Sequence, residues 1–282
     1  IMDAVREAIE TGKNLVLMKS AQGGGSEAME NALHWLQVHY PGPMLYLISK
    51  DDLAKEFSRD RFAYANETIE PLARKHLGGK SAGETIQVKR YVDGKLVIAG
   101  GRSVLNLQSS PYRVVVIDEY DSMLDEIKNE GDPLKLAEMR TAAFAEAGAV
   151  LVIAFAHPTT KDRGAGKVYY SHSDKRRCHV VCPGCSSWFP LTWDHVESAN
   201  DKDPTTYKLV APCCGRTMSD GERFAAVRNS RQISTIAPEE AAKKKWIGVH
   251  FSQLCSKPMP YLAHEWASSA DEPSVRRVVV NK

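Results

Sequence analysis

The chain has 282 residues, of which 43% are hydrophobic and 26% are charged, a composition typical of a folded globular protein. Its formal net charge of +2 excludes nucleic-acid binding through overall charge, so any such binding must use local basic patches. No apolar run reaches the roughly 18 residues of a membrane-spanning helix, and no stretch has the pattern of a signal peptide, so we expect no membrane association.

The first elements place a glycine-rich loop between a strand and a helix. Residues 2–10 have the apolar spacing of a helix, residues 14–18 form an apolar run typical of a strand, and a second helical pattern runs from 27 to about 39. The loop between them consists of Lys19, Ser20, Ala21, Gln22, Gly23, Gly24, Gly25 and Ser26. This order is that of a phosphate-binding loop, in which backbone N–H groups and a helix N-terminus face one anion.

The loop departs from the usual phosphate-loop pattern G-x-x-x-x-G-K-[ST] in the position of its lysine. Aligned with that pattern, Lys19 takes the first position, Gly25 stands where the lysine belongs, and Ser26 is last. Lys19 closes the strand, so its ammonium group can approach the phosphates from the strand side. A flexible glycine-rich turn without a ligand is the alternative interpretation.

The next segments continue an alternation of strands and helices. Residues 44–49 form a buried-type strand, and Asp51 is predicted to cap a helix that starts near Leu53. Asp93-Gly94 between the runs 85–90 and 95–99 indicates a hairpin, and residues 103–107 are a further candidate strand. The alternation predicts an α/β fold with three layers and a mostly parallel central sheet.

A second candidate site lies at the end of the run Val114–Glu119. Four consecutive β-branched residues are typical of a central parallel strand, and ligands bind at the C-terminal ends of such strands. Asp118 can hold Mg²⁺ through water, and Glu119 can orient or activate an attacking water. The alternative is a strand that simply ends in solvated acids.

A helix and a further strand follow this pair. Asp132 and Pro133 have the residue types of an N-cap and a first turn, and the helix body, 134–144, carries Arg140. Arg140 either faces a nucleotide or a neighbouring subunit, or is a solvated helix residue. The strand predicted at 149–156 ends next to His157, which is a candidate phosphate sensor or a turn residue.

The later part of the chain has a basic stretch and most of the cysteines. The basic residues, which either follow DNA phosphates or lie in a solvated loop, are Lys161, Arg163, Lys167, Lys175, Arg176 and Arg177. Five of the six cysteines lie between 178 and 214, which favours a metal site over disulfides. Cys182 and Cys185 have the spacing of a zinc knuckle, whereas Cys213 and Cys214 are adjacent and Ala211 stands where a knuckle cysteine would be.

The zinc hypothesis leaves its ligand set open. Either all four of these cysteines bind one Zn²⁺, or the site takes Cys178 or His179 instead, or the cysteines are a metal-free remnant. Beyond Asp220 we expect a charged, helix-prone region to 245, a last strand at 246–251 and a helix at 261–267.

Together these features resemble the large terminase subunit of tailed bacteriophages, of the lambda-like GpA type. The features that carry the resemblance are the loop 19–26 with its displaced lysine, residues 117–121, residues 130–133, Arg140 and the knuckle at Cys182. The resemblance implies a P-loop ATPase of the additional-strand, RecA-like class with a small zinc-ribbon-like insertion. It also implies that Lys19, Ser26 and the rest of the loop bind ATP, that Asp118 binds Mg²⁺, and that Glu119 is the catalytic carboxylate.

The resemblance also implies a domain plan and partners. We expect an ATPase core at 1–177, a zinc-knuckle insertion at 178–220, and at 221–282 the rest of the ATPase domain and the start of a linker. The implied function is to drive double-stranded DNA into a procapsid, in the host cytoplasm, with a terminase small subunit, a portal and further copies of the chain. The family's nuclease domain begins about where this chain ends, so we expect no nuclease site.

Two other functions remain open on the sequence. One is another nucleic-acid-stimulated ATPase such as a helicase, although no second RecA-like unit is evident. The other is a non-catalytic zinc-ribbon module that binds DNA beside an inactive loop. Gln22 stands where the family often has an arginine, so a catalytic arginine must come from elsewhere, either Arg140 or a neighbouring subunit.

Overall fold

A computed structural model describes residues 1–20, 23–79, 83–100, 110–126, 131–145, 151–157 and 161–269. The strands of these residues are β1 Asn14–Met18, β2 Pro43–Ile48, β3 Val88–Tyr91, β4 Gly94–Gly100, β5 Val114–Asp118, β6 Leu151–Ala156, β7 Arg176–Val181, β8 Trp188–Pro190, β9 Val196–Glu197, β10 Lys208–Val210, β11 Thr217–Met218, β12 Arg231–Ser234 and β13 Trp246–His250. The predicted strand at 103–107 and the residues after 269 lie outside the described ranges.

The α-helices of the described residues alternate with the strands of the first half of the chain. They are α1 Met2–Thr11, α2 Gly25–His39, α3 Asp51–Phe57, α4 Ala63–Thr68, α5 Glu70–Lys75, α6 Tyr120–Glu126, α7 Pro133–Ala145, α8 Gly164–Lys167, α9 Asp220–Arg228, α10 Pro238–Lys243 and α11 Met259–Ser268. Two π-helical turns, Ser58–Phe62 and Val168–His172, follow α3 and α8. None of the described helices is long and apolar enough to cross a bilayer.

Seven strands form one sheet in the order β13-β1-β6-β5-β2-β4-β3. Strand β2 pairs in parallel with β4 and β5, and β5 pairs in parallel with β6, whereas β3 is antiparallel to β4. All five residues of β5 are buried, as expected of a central strand. The predicted α/β fold with a mostly parallel central sheet is therefore confirmed.

By spatial contacts the chain divides into two compact units, Ile1–Val16 with Ser26–Ala156, and Leu17–Gly25 with His157–Lys282. The second unit contains two small antiparallel sheets, β12-β7-β8 and β11-β10-β9. Their inner faces share a core that includes Val180, Phe189 and Leu209. The predicted small insertion is thus present, and the structure shows that it is built of antiparallel strands, while the proposed division at 177/178 and 220/221 stays a prediction.

Two local predictions were wrong. Asp51 is the first residue of α3 rather than its cap, because its carboxylate accepts a hydrogen bond from the Gly100 N–H at 3.0 Å. The region 221–245 is not continuously helical, because β12 inserts between α9 and α10 and pairs with β7. The basic stretch includes α8 and a π-helical turn, and its Lys161, Arg163 and Lys167 are exposed, so both interpretations of its basic residues stay predictions.

Candidate active site

The end of β5 lies beside a buried tyrosine of β2. The Tyr46 hydroxyl donates a 2.9 Å hydrogen bond to Oδ2 of Asp118, and both side chains are buried. Burial, reinforced by the nearby carboxylate, raises the pKa of Tyr46 well above its usual value, so the hydroxyl keeps its proton and acts as the donor. Tyr46 therefore fixes the orientation of the Asp118 carboxylate at the C-terminal edge of the sheet.

Glu119 follows the strand in a strained backbone conformation. Its φ is +54°, in the left-handed region that side-chain-bearing residues rarely adopt. The chain turns here directly into α6, and the Glu119 carbonyl accepts hydrogen bonds from the N–H groups of Ser122 (2.9 Å) and Met123 (3.2 Å). Strained residues of this kind concentrate at functional sites. The sequence predicted a strand that includes Glu119, whereas β5 ends at Asp118.

A cavity of about 300 Å³ opens next to Asp118 within the first unit. Ser26, from the first turn of α2, lines the same cavity. Its other lining residues that matter for charge are Glu56, Asp60 and Arg61. The structure thus brings together two of the residues that the sequence singled out, Ser26 and Asp118, from elements far apart in the chain.

The described loop residues before Ser26 belong to the second unit, and Ala21 and Gln22 lie outside the described residues. Gly24 has a φ of +74°, which favours glycine, and a β-carbon on Gly23 would lie 2.3 Å from the Ser20 hydroxyl oxygen and would require that side chain to move. Gly25 is packed against Lys19: a β-carbon there would lie 2.7 Å from the lysine Cδ. The loop is therefore built around the Lys19 side chain.

Arg140 lies on α7 and is not among the described residues that line the cavity. Its side chain is half-buried, and its Nε has no hydrogen-bond partner among the described residues. Its carbonyl accepts a 3.0 Å hydrogen bond from the Tyr112 N–H. The expected catalytic role of Arg140 stays a prediction.

The second unit holds a cluster of four cysteines. The Sγ atoms of Cys182, Cys185, Cys213 and Cys214 all lie within 4.8 Å of one another. The Cys182 and Cys214 sulfurs are 3.6 Å apart, and those of Cys185 and Cys213 are 3.2 Å apart. Four sulfurs bound to one tetrahedral Zn²⁺ at about 2.3 Å would be separated by slightly less than 4 Å, so the cluster fits a metal ion of this kind.

Two hairpin turns present these sulfurs. The first connects β7 to β8, and Ser186 with a φ of +60° closes it. The second connects β10 to β11 and closes at Gly215, with a φ of +72° and an N–H bonded to the Ala211 carbonyl. Hydrogen bonds from Ser187 lower the pKa of Cys185 to about 6, which favours the thiolate that binds metals.

The alternative ligands lie outside the cluster. Cys178 is buried on the inner face of β7, where a hydrogen bond from Cys255 lowers the pKa of its thiol. His179 directs Nδ1 to the Arg177 carbonyl at 2.9 Å, so this nitrogen carries the proton. The second turn therefore contributes both of its adjacent cysteines, Cys213 and Cys214, to the cluster, although a regular knuckle has two residues between its cysteines.

Sequence reasoning missed Tyr46 and Arg61. The signal for Tyr46 was a hydroxyl in the middle of an otherwise apolar strand, which requires a polar partner. Arg61 gave no sequence signal, because its position depends on a π-helical turn that adds a residue to the helix.

The chain was compared with protein-family models, with curated proteins and with solved structures. A family model described as phage terminase large subunit gpA, ATPase domain, matches residues 1–231. No curated protein matches the chain. The ATPase domain of the Thermus phage P74-26 large terminase has a TM-score of 0.50 at 12% identity, covering 98% of this chain and 91% of that chain. A point mutant of the same phage domain gives a TM-score of 0.46 at 13% identity, covering 95% and 87%.

Proposed function

Because the chain belongs to the family of phage terminase large subunit gpA ATPase domains, we propose that residues 19–26 with Asp118 and Glu119 form its ATP site. The domain is the ATP hydrolase of the DNA-packaging motor. The observation that carries the assignment of the site is the cavity lined by both Ser26 and Asp118. A hydroxyl at a helix N-terminus and a carboxylate at a strand end are the two protein ligands that P-loop enzymes use for Mg²⁺.

Each residue of the site has a separate role. The N–H groups of the loop from Ser20 to Gly25, together with the N-terminus of α2, bind phosphate oxygens. Lys19 supplies a positive charge at the front of the loop, while the Ser26 hydroxyl and Asp118 hold Mg²⁺, with Tyr46 fixing the Asp118 carboxylate. When bound, Mg²⁺ offsets the charge that develops on the phosphates.

Glu119 activates or orients the attacking water. A carboxylate at this point accepts the water's proton or orients its lone pair toward the phosphorus. The left-handed backbone aims the side chain differently from that of a continuing strand, which supports a role beyond strand packing.

The site is completed by an arginine that the described loop residues do not supply. Arg140 is the candidate within the chain, acting on its own nucleotide or on that of a neighbouring copy. An arginine added in this way contributes on the order of 10³-fold or more in phosphoryl transfer. We therefore expect the chain to work as a homo-oligomer.

The remaining assignments concern DNA and zinc. The Cys182, Cys185, Cys213 and Cys214 cluster binds one structural Zn²⁺ that ties two hairpins of the second unit together. The partners are double-stranded DNA, contacted through basic residues such as Lys161 and Arg163, a terminase small subunit, and the portal of a procapsid. The place of action is the host cytoplasm, where packaging occurs.

An ATPase assay with and without duplex DNA, joined to a strand-displacement assay, tests this function. We expect ATP hydrolysis that duplex DNA stimulates and no unwinding of a partial duplex. Unwinding would favour the helicase alternative. Absence of both nucleotide binding and hydrolysis, with DNA binding retained, would favour a non-catalytic zinc-ribbon module.

A further inference from the structure

The cavity beside Asp118 has an uneven distribution of charge. Three carboxylates line it, those of Glu56, Asp60 and Asp118, and Arg61 is the one cation among its described lining residues. A polyphosphate cannot enter a space with this charge unless cations accompany it. Mg²⁺ is one such cation, and Arg61 is the protein group placed to be another.

Arg61 is bound to the helix that begins at the proposed phosphate site. Its Nη1 lies 3.0 Å from Glu30 Oε2 and 3.3 Å from Glu27 Oε2. Glu27 is the residue directly after Ser26, so the guanidinium is tethered one residue from a proposed Mg²⁺ ligand. Glu30 is buried, whereas the side chains of Arg61 and Glu27 are 46% and 65% exposed.

The π-helical turn Ser58–Phe62 determines where Arg61 points. Phe62 is fully buried and packs against the rings of His34 (4.8 Å), Phe57 (5.5 Å) and Tyr46 (6.3 Å). Since Phe62 anchors the end of the turn, the preceding residue stays at the cavity rim, with its guanidinium carbon 5.0 Å from the Phe57 ring centroid. The position of Arg61 is thus fixed by packing while its head group stays accessible.

The geometry points to Arg61 as a binding residue for the terminal phosphate of the nucleotide in the same chain. This inference rests on the proposed function. When the phosphates lie at the start of α2, Arg61 exchanges the exposed Glu27 carboxylate for a phosphate oxygen while it keeps Glu30. The exchange is favourable because an exposed ion pair contributes little, whereas the guanidinium binds phosphate with two parallel hydrogen bonds.

The direct test compares nucleotides that differ by the terminal phosphate. Dissociation constants are measured by calorimetry for a non-hydrolysable ATP analogue and for ADP, both with Mg²⁺. Arg61→Ala should weaken binding of the ATP analogue roughly tenfold or more, because the charge-assisted contact with the terminal phosphate is lost, and binding of ADP by less than about twofold. Arg61→Lys should recover part of the affinity.

Two further variants separate binding from helix packing. Glu27→Gln removes the competing carboxylate and should strengthen binding of the ATP analogue about twofold or more. Arg59→Ala is the matched control, because Arg59 is exposed in the same π-helical turn and is not a described lining residue of the cavity; it should change neither constant.

The outcomes distinguish this inference from the proposed function. If Arg61→Ala lowers the melting temperature but weakens both nucleotides equally or neither, Arg61 only joins α2 to the turn, and the inference is wrong while the ATP site stands. If the wild-type chain binds neither nucleotide, the proposed ATP site and the role of Arg61 are both wrong.

Discussion

A β-carbon on Gly25 would lie 2.7 Å from Cδ and 3.1 Å from Cβ of Lys19, so glycine at 25 leaves space that the lysine side chain fills. Gly25 begins α2 and is not among the glycines with a positive φ, so its backbone accepts any residue. The lysine at the front of the loop therefore explains why the seventh position has no lysine: the Lys19 side chain occupies the space that a side chain at position 25 would need.

This contact predicts that a lysine can move between the two positions. Lys19→Ala should abolish ATP hydrolysis without unfolding the protein, because the loop loses its positive charge. Adding Gly25→Lys should restore part of the rate, since the alanine removes the Cδ and Cγ atoms and leaves only the 3.1 Å approach to its β-carbon, which a small shift relieves. Turnover and thermal melts of both variants are the measurement.

Gly25→Lys alone is the control for this exchange. In the wild-type background it should disturb the loop and lower activity, because the two lysine side chains compete for one space. Equal effects of Gly25→Lys in the two backgrounds would show that Lys19 and position 25 are not coupled. A fully active Lys19→Ala variant would make Lys19 a simple strand-end residue.

The strained backbone at Glu119 predicts a difference between two variants that both lack the carboxylate. Glu119→Gly and Glu119→Ala should both be inactive, but the glycine variant should be more stable by about 1 kcal/mol, because only alanine keeps a β-carbon at a positive φ. Chemical denaturation measures the difference. Equal stability, or a more stable alanine variant, would mean that the turn relaxes and stores no strain.

Features of the fold that depend on neighbouring residues were predictable from the sequence, whereas features that depend on contacts between distant residues were not. The run 114–117 has four β-branched residues in a row, and the structure buries all of them in a central strand. Asp93-Gly94 specified its hairpin through neighbouring residues alone. By contrast, Asp51 bonds to Gly100, 49 residues away, and this contact outweighed the local preference for an N-cap.

In the candidate active site, too, the residues that lie in local motifs were predicted and those that depend on distant contacts were not. The loop and the Asp118–Glu119 pair were visible as motifs, because phosphate and metal binding require particular residues in sequence. Tyr46 acts through Asp118 at a separation of 72 residues, and Arg61 through Glu27 and Glu30 at separations of 34 and 31. No local pattern encodes such pairs, and only the fold brings them together.

The cysteine cluster predicts one bound metal ion. Protein purified without chelator should contain about one zinc per chain, and removing the metal should lower the melting temperature, because it removes the link that joins the two turns at their sulfurs. Cys185→Ser or Cys213→Ser should lose most of the zinc. Elemental analysis gives the stoichiometry.

Cys255→Ser is the matched control for the metal site, since Cys255 is outside the cluster. It should keep the zinc content of the wild type. Less than about a tenth of a zinc per chain in the wild-type protein would identify the cysteines as a metal-free remnant.

A buried arginine supports the second unit. The guanidinium of Arg223 is 1% exposed and donates to the carbonyls of Leu254 and Lys257 and to the carboxylate of Asp220. Arg223→Ala removes the donor that serves the two carbonyls and leaves Asp220 with the Met259 N–H alone, so we expect a loss of about 3 kcal/mol of unfolding free energy. Arg228→Ala, at the end of the same helix, should cost less than about 0.5 kcal/mol. Similar losses in both variants would contradict this role.

Dependence on neighbouring copies is a further expected property. The isolated chain should hydrolyse ATP weakly, and its activity per molecule should rise with protein concentration or with added procapsid, because a neighbour completes the site. Arg140→Ala should lower the activity at high concentration. Full activity that does not change with concentration, in a chain that sedimentation shows to be monomeric, would mean that the site is complete in one copy.

The central claim is that Asp118 and Glu119 act in ATP hydrolysis, Asp118 by binding Mg²⁺ and Glu119 by activating or orienting the attacking water. The most direct measurement is steady-state ATP hydrolysis by Glu119→Gln beside its binding of a non-hydrolysable ATP analogue, with Asp121→Asn as the neighbouring control. Glutamine keeps the shape and loses the base, so turnover should fall by roughly 10²-fold or more while binding stays within about twofold of the wild type. Near wild-type turnover in Glu119→Gln, with loss of activity in Asp121→Asn instead, would contradict the assignment and move the catalytic carboxylate to Asp121.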